Sequence, residues 1–492
     1  MSEPRRMHPV AGLLNFLKQL KELILPLVFF FFVGTGDSDL LDRIYYIGAG
    51  VIILGLLIIG VLHWYRYSYR VEEGELRIEY GVFIRKKRYI PIERIQTIDV
   101  SAGIIQRIFG LVKLQVETAG GGMQAEAVLT AIKEEEANLL RSLLTRSKNQ
   151  SSEVVGEAEE NKQPLISYQI TSKELLVLAS TSGGIGIVIS GVLAFLSQFA
   201  EYLPFEKMYD TVEKYVSLSI LVYLTVLIAF FLLIAWVVGI LIMTLRYANF
   251  SVVKRDQELF ITRGLIEKRQ STIPLSRIQA IRIGENLIRQ PLGFATVYIE
   301  SAGGSLDKGE DFSTVLFPLL KKKEIQGLLE HFVPDYKITT NVNKVSEKAL
   351  WRYILRAVLP IVPVIILIAY LAYPWGLFSL LLLPLGILLG YHRYKDSGWK
   401  IENDQLTLQY RLFSKVTIMQ HKKRIQSIDK SQSAFQKKAE LSSIKSFIKS
   451  SFSGKGFQVK DLCEDDGWTI FEWFTKRKTD HVLESLDNKK EL

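Results

Sequence analysis

The chain has 492 residues, of which 48% are hydrophobic and 23% charged, and it carries a formal net charge of +10. So much apolar surface beside so many charges excludes both a single soluble globule and a disordered polar chain, and the two kinds of residue must occupy separate regions. The single cysteine, Cys463, excludes an intramolecular disulfide and a cysteine-ligated metal cluster.

Met1 to Val10 holds no compact apolar stretch with a small-residue cleavage site, so no signal peptide is expected there. Apolar runs then recur along the chain. Ile44 to Trp64, Leu175 to Ala200, Val216 to Leu245, Ile354 to Tyr373 and Leu377 to Tyr391 are each about the length that crosses a hydrocarbon core. Leu23 to Gly34 is short alone and spans only if the turn from Leu13 to Leu20 joins the same helix. The expected membrane part is six spans arranged as three hairpins. Inside the first hairpin Asp37, Asp39 and Asp42 face Arg43 alone, and inside the second Glu201, Glu206, Asp210 and Glu213 outnumber Lys207 and Lys214. Arg5, Arg6, Arg66, Arg70, Arg246, Arg393 and Lys395 lie on the other side. Positive flanks stay cytoplasmic, which predicts a multi-pass cell-membrane protein with its termini and soluble domains in the cytosol. The positive charge then matches an anionic leaflet of the lipid bilayer, not nucleic acid.

Between the apolar runs one unit is written three times. Gly81 to Ile98 returns as Gly264 to Ile281 and, without its Gly and Pro, as Arg411 to Ile428. Within it Arg94-Ile95-Gln96 matches Arg277-Ile278-Gln279 and Arg424-Ile425-Gln426. Arg66-Tyr67, Arg246-Tyr247 and Arg393-Tyr394 each follow an apolar run, and Gly110 matches Gly293, with Glu440 in the third copy. Glu75 to Tyr80 alternates polar and apolar residues, the period of a half-buried strand. Gly81 marks a turn, and a second strand runs to Ile90. Arg94 and Gln96 fall on one face of the next strand and Ile95 on the other. Leu111 to Glu117 is a further strand, and helices over Lys133–Thr145, Lys321–Phe332 and Trp468–Leu486 close the copies. The expected division is a membrane hairpin over 1–63, a domain over 64–146, a flexible linker over 147–167, a hairpin over 168–245, a domain over 246–333, a linker over 334–348, a hairpin over 349–391 and a degenerate domain over 392–492.

Three groups of residues stand out as candidates. The basic run Arg85, Lys86, Lys87 and Arg88, with Lys268 and Arg269 as its remnant in the second copy, suits an anionic headgroup or a partner, although a solvated strand face obeying the positive-inside rule accounts for it as simply. Arg94, Gln96, Arg277, Gln279, Arg424 and Gln426 read as structural, each arginine fork bonding carbonyls or a carboxylate of its own domain. Ser182, Gly186 and Ser190 recur every four residues, as do Gly386 and Gly390, a spacing that lets membrane helices approach closely. The histidines are scattered, and neither a nucleophile elbow, a zinc-protease helix pair nor a phosphate loop occurs, so no enzyme, cofactor or metal is expected.

Two-span hairpins, each followed by a strands-then-helix domain with Arg-Tyr at its start, a Gly-led strand pair and Pro-x-x-Arg-Ile-Gln, resemble the bacterial membrane-flanked pleckstrin-homology-like (PH-like) domain family. The likeness covers most of the chain, and the third copy matches least. It implies that each soluble unit is an antiparallel half-barrel of about seven strands capped by a C-terminal helix. It further implies a non-enzymatic scaffold that joins a small, single-unit membrane PH-like paralogue in a hetero-oligomer, and resistance or immunity to circular bacteriocins by capture or exclusion of the peptide. A transporter or channel component and a lipid-sensing stress adaptor are the alternatives. The nearly charge-free spans weigh against a polar path.

Overall fold

A computed structural model of the chain describes residues 3–33, 39–118, 126–149, 166–182, 220–301, 313–339, 341–371, 373–449 and 455–487. In the first unit strand β1 (Arg5–Arg6) precedes helices α1 (Val10–Val33) and α2 (Asp39–Arg66), and then come β2 (Ser68–Glu72), β3 (Glu75–Tyr80), β4 (Lys86–Pro91), β5 (Ile95–Ala102), α3 (Ile104–Ile108), β6 (Leu111–Thr118), β7 (Ala127–Lys133) and α4 (Glu134–Asn149). The second repeats the order with β8 (Ile166–Gln169), α5 (Ser172–Thr181), α6 (Ile220–Tyr247), β9 (Ser251–Arg255), β10 (Glu258–Arg263), β11 (Lys268–Pro274), β12 (Ile278–Glu285), β13 (Phe294–Ser301), β14 (Ser313–Lys321) and α7 (Lys322–Phe332). The third has β15 (Asn343–Lys344), α8 (Leu350–Val358), α9 (Ile361–Leu371), α10 (Leu382–Lys395), β16 (Gly398–Glu402), β17 (Gln405–Arg411), β18 (Lys415–His421), β19 (Ile425–Ser431), α11 (Ala434–Lys437), β20 (Leu441–Ile448), β21 (Lys455–Cys463) and α12 (Glu464–Asp487).

Each unit thus starts before its membrane segment, not after it. β1 pairs with β2, β8 with β9 and β15 with β16, all antiparallel, so the apolar helices leave and re-enter the same sheet edge. α1 is continuous from Val10 to Val33, which joins the Leu13–Leu20 turn to the apolar run after it. Three described helical stretches are long and apolar enough to cross a membrane, not six: Ile228–Tyr247, Glu347–Leu371 and Gly376–Lys395, with Gly50–Arg66 shorter. The break between α8 and α9 falls at Leu359-Pro360, where proline has no N–H to donate. Residues 183–219, which hold most of the expected third span, lie outside the described residues, as do Gly120 to Gly122 and most of the 147–167 linker.

The soluble units are not separate beads. The sheets have the strand orders β1-β2-β3-β4, β7-β6-β5-β11-β10-β9-β8, β14-β13-β12-β18-β17-β16-β15 and β19-β20-β21. The second half of each of the first two units therefore continues, edge to edge, into the first half of the next. Both junctions use one register: Lys268, first in β11, faces Ala102, last in β5, and Lys415, first in β18, faces Glu285, last in β12. The 3-10 turns Ile92–Arg94, Leu275–Arg277 and Lys422–Arg424 lead the chain from one sheet to the other.

A separate apolar core fills each unit, centred on Leu76, Leu114 and Leu140, on Phe250, Phe317 and Phe332, and on Leu408, Ile444 and Phe457. The cores also cross the junctions, since Met419 of β18 belongs to the second and Ala280 of β12 to the third. The stretch 334–348 is packed, which corrects its reading as a linker. Tyr336 and Val345 are buried, and the Gln405 side chain accepts from Lys337 N and donates to Lys337 O at 3.1 and 2.6 Å.

Candidate interaction surfaces

Two strand edges at the junction positions have no neighbour beyond their own unit among the described residues: β4, the counterpart of β11 and β18, and β19, the counterpart of β5 and β12. The burial of β4 reflects this. Lys86, Lys87, Arg88 and Tyr89 are exposed, whereas the matching part of β18 is half-buried or buried. Glu79 partly occupies the basic run, since Arg85 Nη2 and Lys87 Nζ lie 2.5 and 3.6 Å from its carboxylate, and Arg88 Nη1 donates to Glu126 O at 2.7 Å. Lys268 and Arg269 sit in the β11–β5 ladder itself, and Arg269 pairs with Glu267 at 3.1 Å.

In the second and third units the hairpin before the turn is tied to the end of an apolar helix. Gly264 N donates to Ala248 O at 2.8 Å and Leu265 N to Leu245 O at 2.9 Å. A side chain at Gly264 would put its Cβ 2.1 Å from Glu267 O at φ +99°, so the Gly-led turn is a backbone requirement. In the third unit Arg411 replaces that glycine without a positive φ, its side chain buried, and Arg393 Nε donates to Leu412 O at 2.8 Å. Glu440, by contrast, keeps the left-handed backbone of Gly110 and Gly293, with φ +56°.

The repeated arginines end the 3-10 turns. Their expected bonding within their own unit is not what Arg277 does: its Nη2 donates to Glu93 O of the preceding unit at 3.4 Å, because that unit's turn abuts it across the junction. Arg94 is exposed and Arg424 half-buried, close enough to the Tyr336 phenol to influence it. Gln279 is buried and donates to Arg277 O at 3.0 Å, Gln426 is exposed, and the Gln96 side chain lies outside the described residues.

Of the small residues singled out, Gly390 packs closely, since a Cβ there would lie 2.6 Å from Ile354 Cα, and Gly386 less so, 3.0 Å from Ile361 Cδ1. Gly186 and Ser190 lie outside the described residues. Ser182 has a polar role instead. Its Oγ accepts from Arg289 Nη2 at 3.0 Å, and that buried guanidinium also reaches Thr181 Oγ1 (2.9 Å), Thr296 Oγ1 (2.6 Å) and Leu178 O (3.1 Å). Its pKa is lowered by burial. Arg289 fastens the second membrane segment to its sheet, and nothing local in the sequence marks it, since two of its three hydroxyl partners are more than 100 residues away. Glu300, 2% exposed, is a second such residue, held by Arg282 at 2.7 Å and by Lys455 of the third unit at 3.1 Å.

No group of three or more potential metal ligands occurs among the described residues. Comparison with known proteins agrees with the threefold architecture. The chain matches the bacterial PH domain family over residues 23–148, 216–333 and 354–478. It is similar to the UPF0699 transmembrane protein YdbT of Bacillus subtilis (strain 168), with 44% identity over 495 residues that cover 98% of this chain and 100% of that one. Three family matches on three structurally equivalent units, together with this full-length relative, place the chain in the bacterial PH domain family, as a three-unit transmembrane member.

Proposed function

We propose that the protein is a non-enzymatic, six-span membrane scaffold whose open sheet edge receives a small single-unit PH-like paralogue, and that the assembly contributes to resistance against circular bacteriocins. Parity supports the span number. Strands on both sides of each apolar segment pair with each other and so lie on one side of the membrane, and the segment between them crosses an even number of times. Given the crossing at Ile228–Tyr247, its unit needs a second. Basic flanks support a cytosolic side for the paired strands.

The observation that carries the partner is the junction made twice in one register while β4 keeps an equivalent free edge. An exposed strand edge is a ready template for another strand. The incoming strand of a further unit would lie against Lys86 to Pro91 as β5 lies against β11, adding main-chain bonds. The resistance outcome comes from the family resemblance alone.

The test purifies the tagged full chain in mild detergent from cells that also make the paralogue. The paralogue is expected to co-purify with the parent chain and to be lost with Lys87→Pro, since proline cannot donate to a ladder. Deleting the gene should lower the inhibitory concentration of a circular bacteriocin and leave that of an antibiotic with a soluble target unchanged. Equal inhibitory concentrations in the two strains would end the resistance reading. Retention of the paralogue by the proline variant would move the contact off β4.

A further inference from the structure

The third unit holds a cavity of about 310 Å³ between the ends of its apolar helices and its sheets. Five cations line it: Arg356 from α8, Arg393 from α10, Arg411 from β17, Lys445 from β20 and Lys460 from β21. No carboxylate does. Two of the five have acids behind them, Arg356 pairing with Asp461 at 2.6 Å and Arg411 with Asp396 at 2.5 Å. Arg393 donates to a carbonyl and lies 5.8 Å from the centre of the Phe413 ring, Lys445 lies 4.6 Å from the centre of the Phe447 ring, and neither these nor Lys460 has an acidic partner among the described residues. A surplus of three positive charges therefore faces one open-mouthed cavity.

The corresponding cleft of the second unit differs at three of these positions, although Arg282 and Arg289 line it and Arg246 stands where the third unit has Arg393. There the cleft, of about 220 Å³, is lined by Tyr298 and Pro318. The ladders pair Val297 with Phe317 and Ile444 with Val459, so Tyr298 corresponds to Lys445 and Pro318 to Lys460. Arg411 likewise stands where the second copy has Gly264. Three neutral positions have become three cations around one cavity, in the copy that departs most from the shared motif. Asp396 balances Arg411, whereas Lys445 and Lys460 add two charges with no acidic partner among the described residues, which repel one another unless an anion lies between them.

We infer that this cavity binds the phosphate headgroup of an anionic phospholipid. Its depth favours a lipid over a soluble anion. Arg356 and Arg393 lie on the two stretches long enough to span, beside outward-facing Trp351 and Leu355, which are 71% and 59% exposed. Tryptophan marks the headgroup level, and basic pockets between membrane helices on the cytoplasmic side suit anionic headgroups. Arginine forks match phosphate oxygens in pairs, while the lysines supply point charges. The inference does not depend on a protein partner.

The test uses the full-length chain purified in neutral detergent, titrated with phosphatidylglycerol, phosphatidylcholine or inorganic phosphate while thermal unfolding is followed. Phosphatidylglycerol should raise the midpoint and phosphatidylcholine should not. In Lys445→Gln/Lys460→Gln the apparent affinity for phosphatidylglycerol should fall roughly tenfold or more, taking each near-surface cation at its usual worth. Lys86→Gln/Lys87→Gln, which removes an equal charge from the exposed β4, should leave it within about twofold. Equal response to both lipids, an unaffected lysine pair in the cavity, or an equal loss in the β4 variant would overturn the site. A full shift from inorganic phosphate alone would overturn the lipid as its occupant.

Discussion

Glu300 shows how a single side chain can join two units. Its carboxylate is buried between Arg282 of its own sheet and Lys455 of the next unit, and Ser313 Oγ donates to it at 2.9 Å. A buried charge is tolerated when it is paired and its hydrogen bonds are complete, and removal of one partner strands the others. Glu300→Gln should therefore destabilise the full chain by about 3 kcal/mol or more, read as a lower unfolding midpoint in detergent. A loss below about 0.5 kcal/mol would mean that Arg282 and Lys455 find solvent instead. At this scale the sequence was legible where a residue acts locally. Glu440 was recognisable as a glycine's stand-in by its place between strands, whereas Arg94, read as the start of a strand, ends the 3-10 turn that Pro91 precedes. Arg289 and Glu300 were not legible, because each is satisfied from a distant element.

Among elements, the strands themselves followed from period-two alternation, but their neighbours did not. β5 alternates in the same way whether it ends a sheet or continues into β11, since alternation reports the two faces of a strand and not its edges. The stretch 334–348 was misread for a related reason. Its polar composition suits a free segment, and what orders it is Gln405 and the His421 ring, 4.5 Å from that of Tyr336, both contributed by the third unit. The β5–β11 junction can be checked directly. Ser101 faces Arg269 in the ladder, where side chains directly opposite stand about 5 Å apart at Cβ. With Cys463 replaced by Ser, cysteines at 101 and 269 should form a disulfide under mild oxidation. It would be seen as two fragments that stay joined, until reduced, after cleavage at a protease site placed within 150–165. Fragments that separate without reductant would show the units to be unpaired there.

For the whole molecule, four sheets, two of them shared between neighbouring units, join the three repeats, and the apolar helices leave from the sheet edges at β1, β8 and β15. The proposed orientation rests on charge: acidic connections within the first two expected hairpins and basic residues on the other flanks. Single cysteines at Ser38 and Glu206, in a chain lacking Cys463, should react with an impermeant thiol reagent added to intact cells, and those at Asn149 and Glu347 only after lysis. Labelling of Asn149 from outside would reverse the topology of the first two units. The threefold unit and its helix cap were readable from recurrence alone, while the edge-to-edge joining that turns three units into one body was not. Nothing in a repeated sequence says whether its copies touch.

The short strands ahead of the apolar segments also set an order of events during synthesis. β1, β8 and β15 leave the ribosome first, yet each must wait for a partner encoded beyond the helices. On the proposed topology, a sheet closes only after the intervening chain has entered the bilayer and returned to the side it left. Each unit would then carry its own check on insertion, because a hairpin that fails to return leaves its leading strand unmatched, and the next unit is left without a completed edge to join.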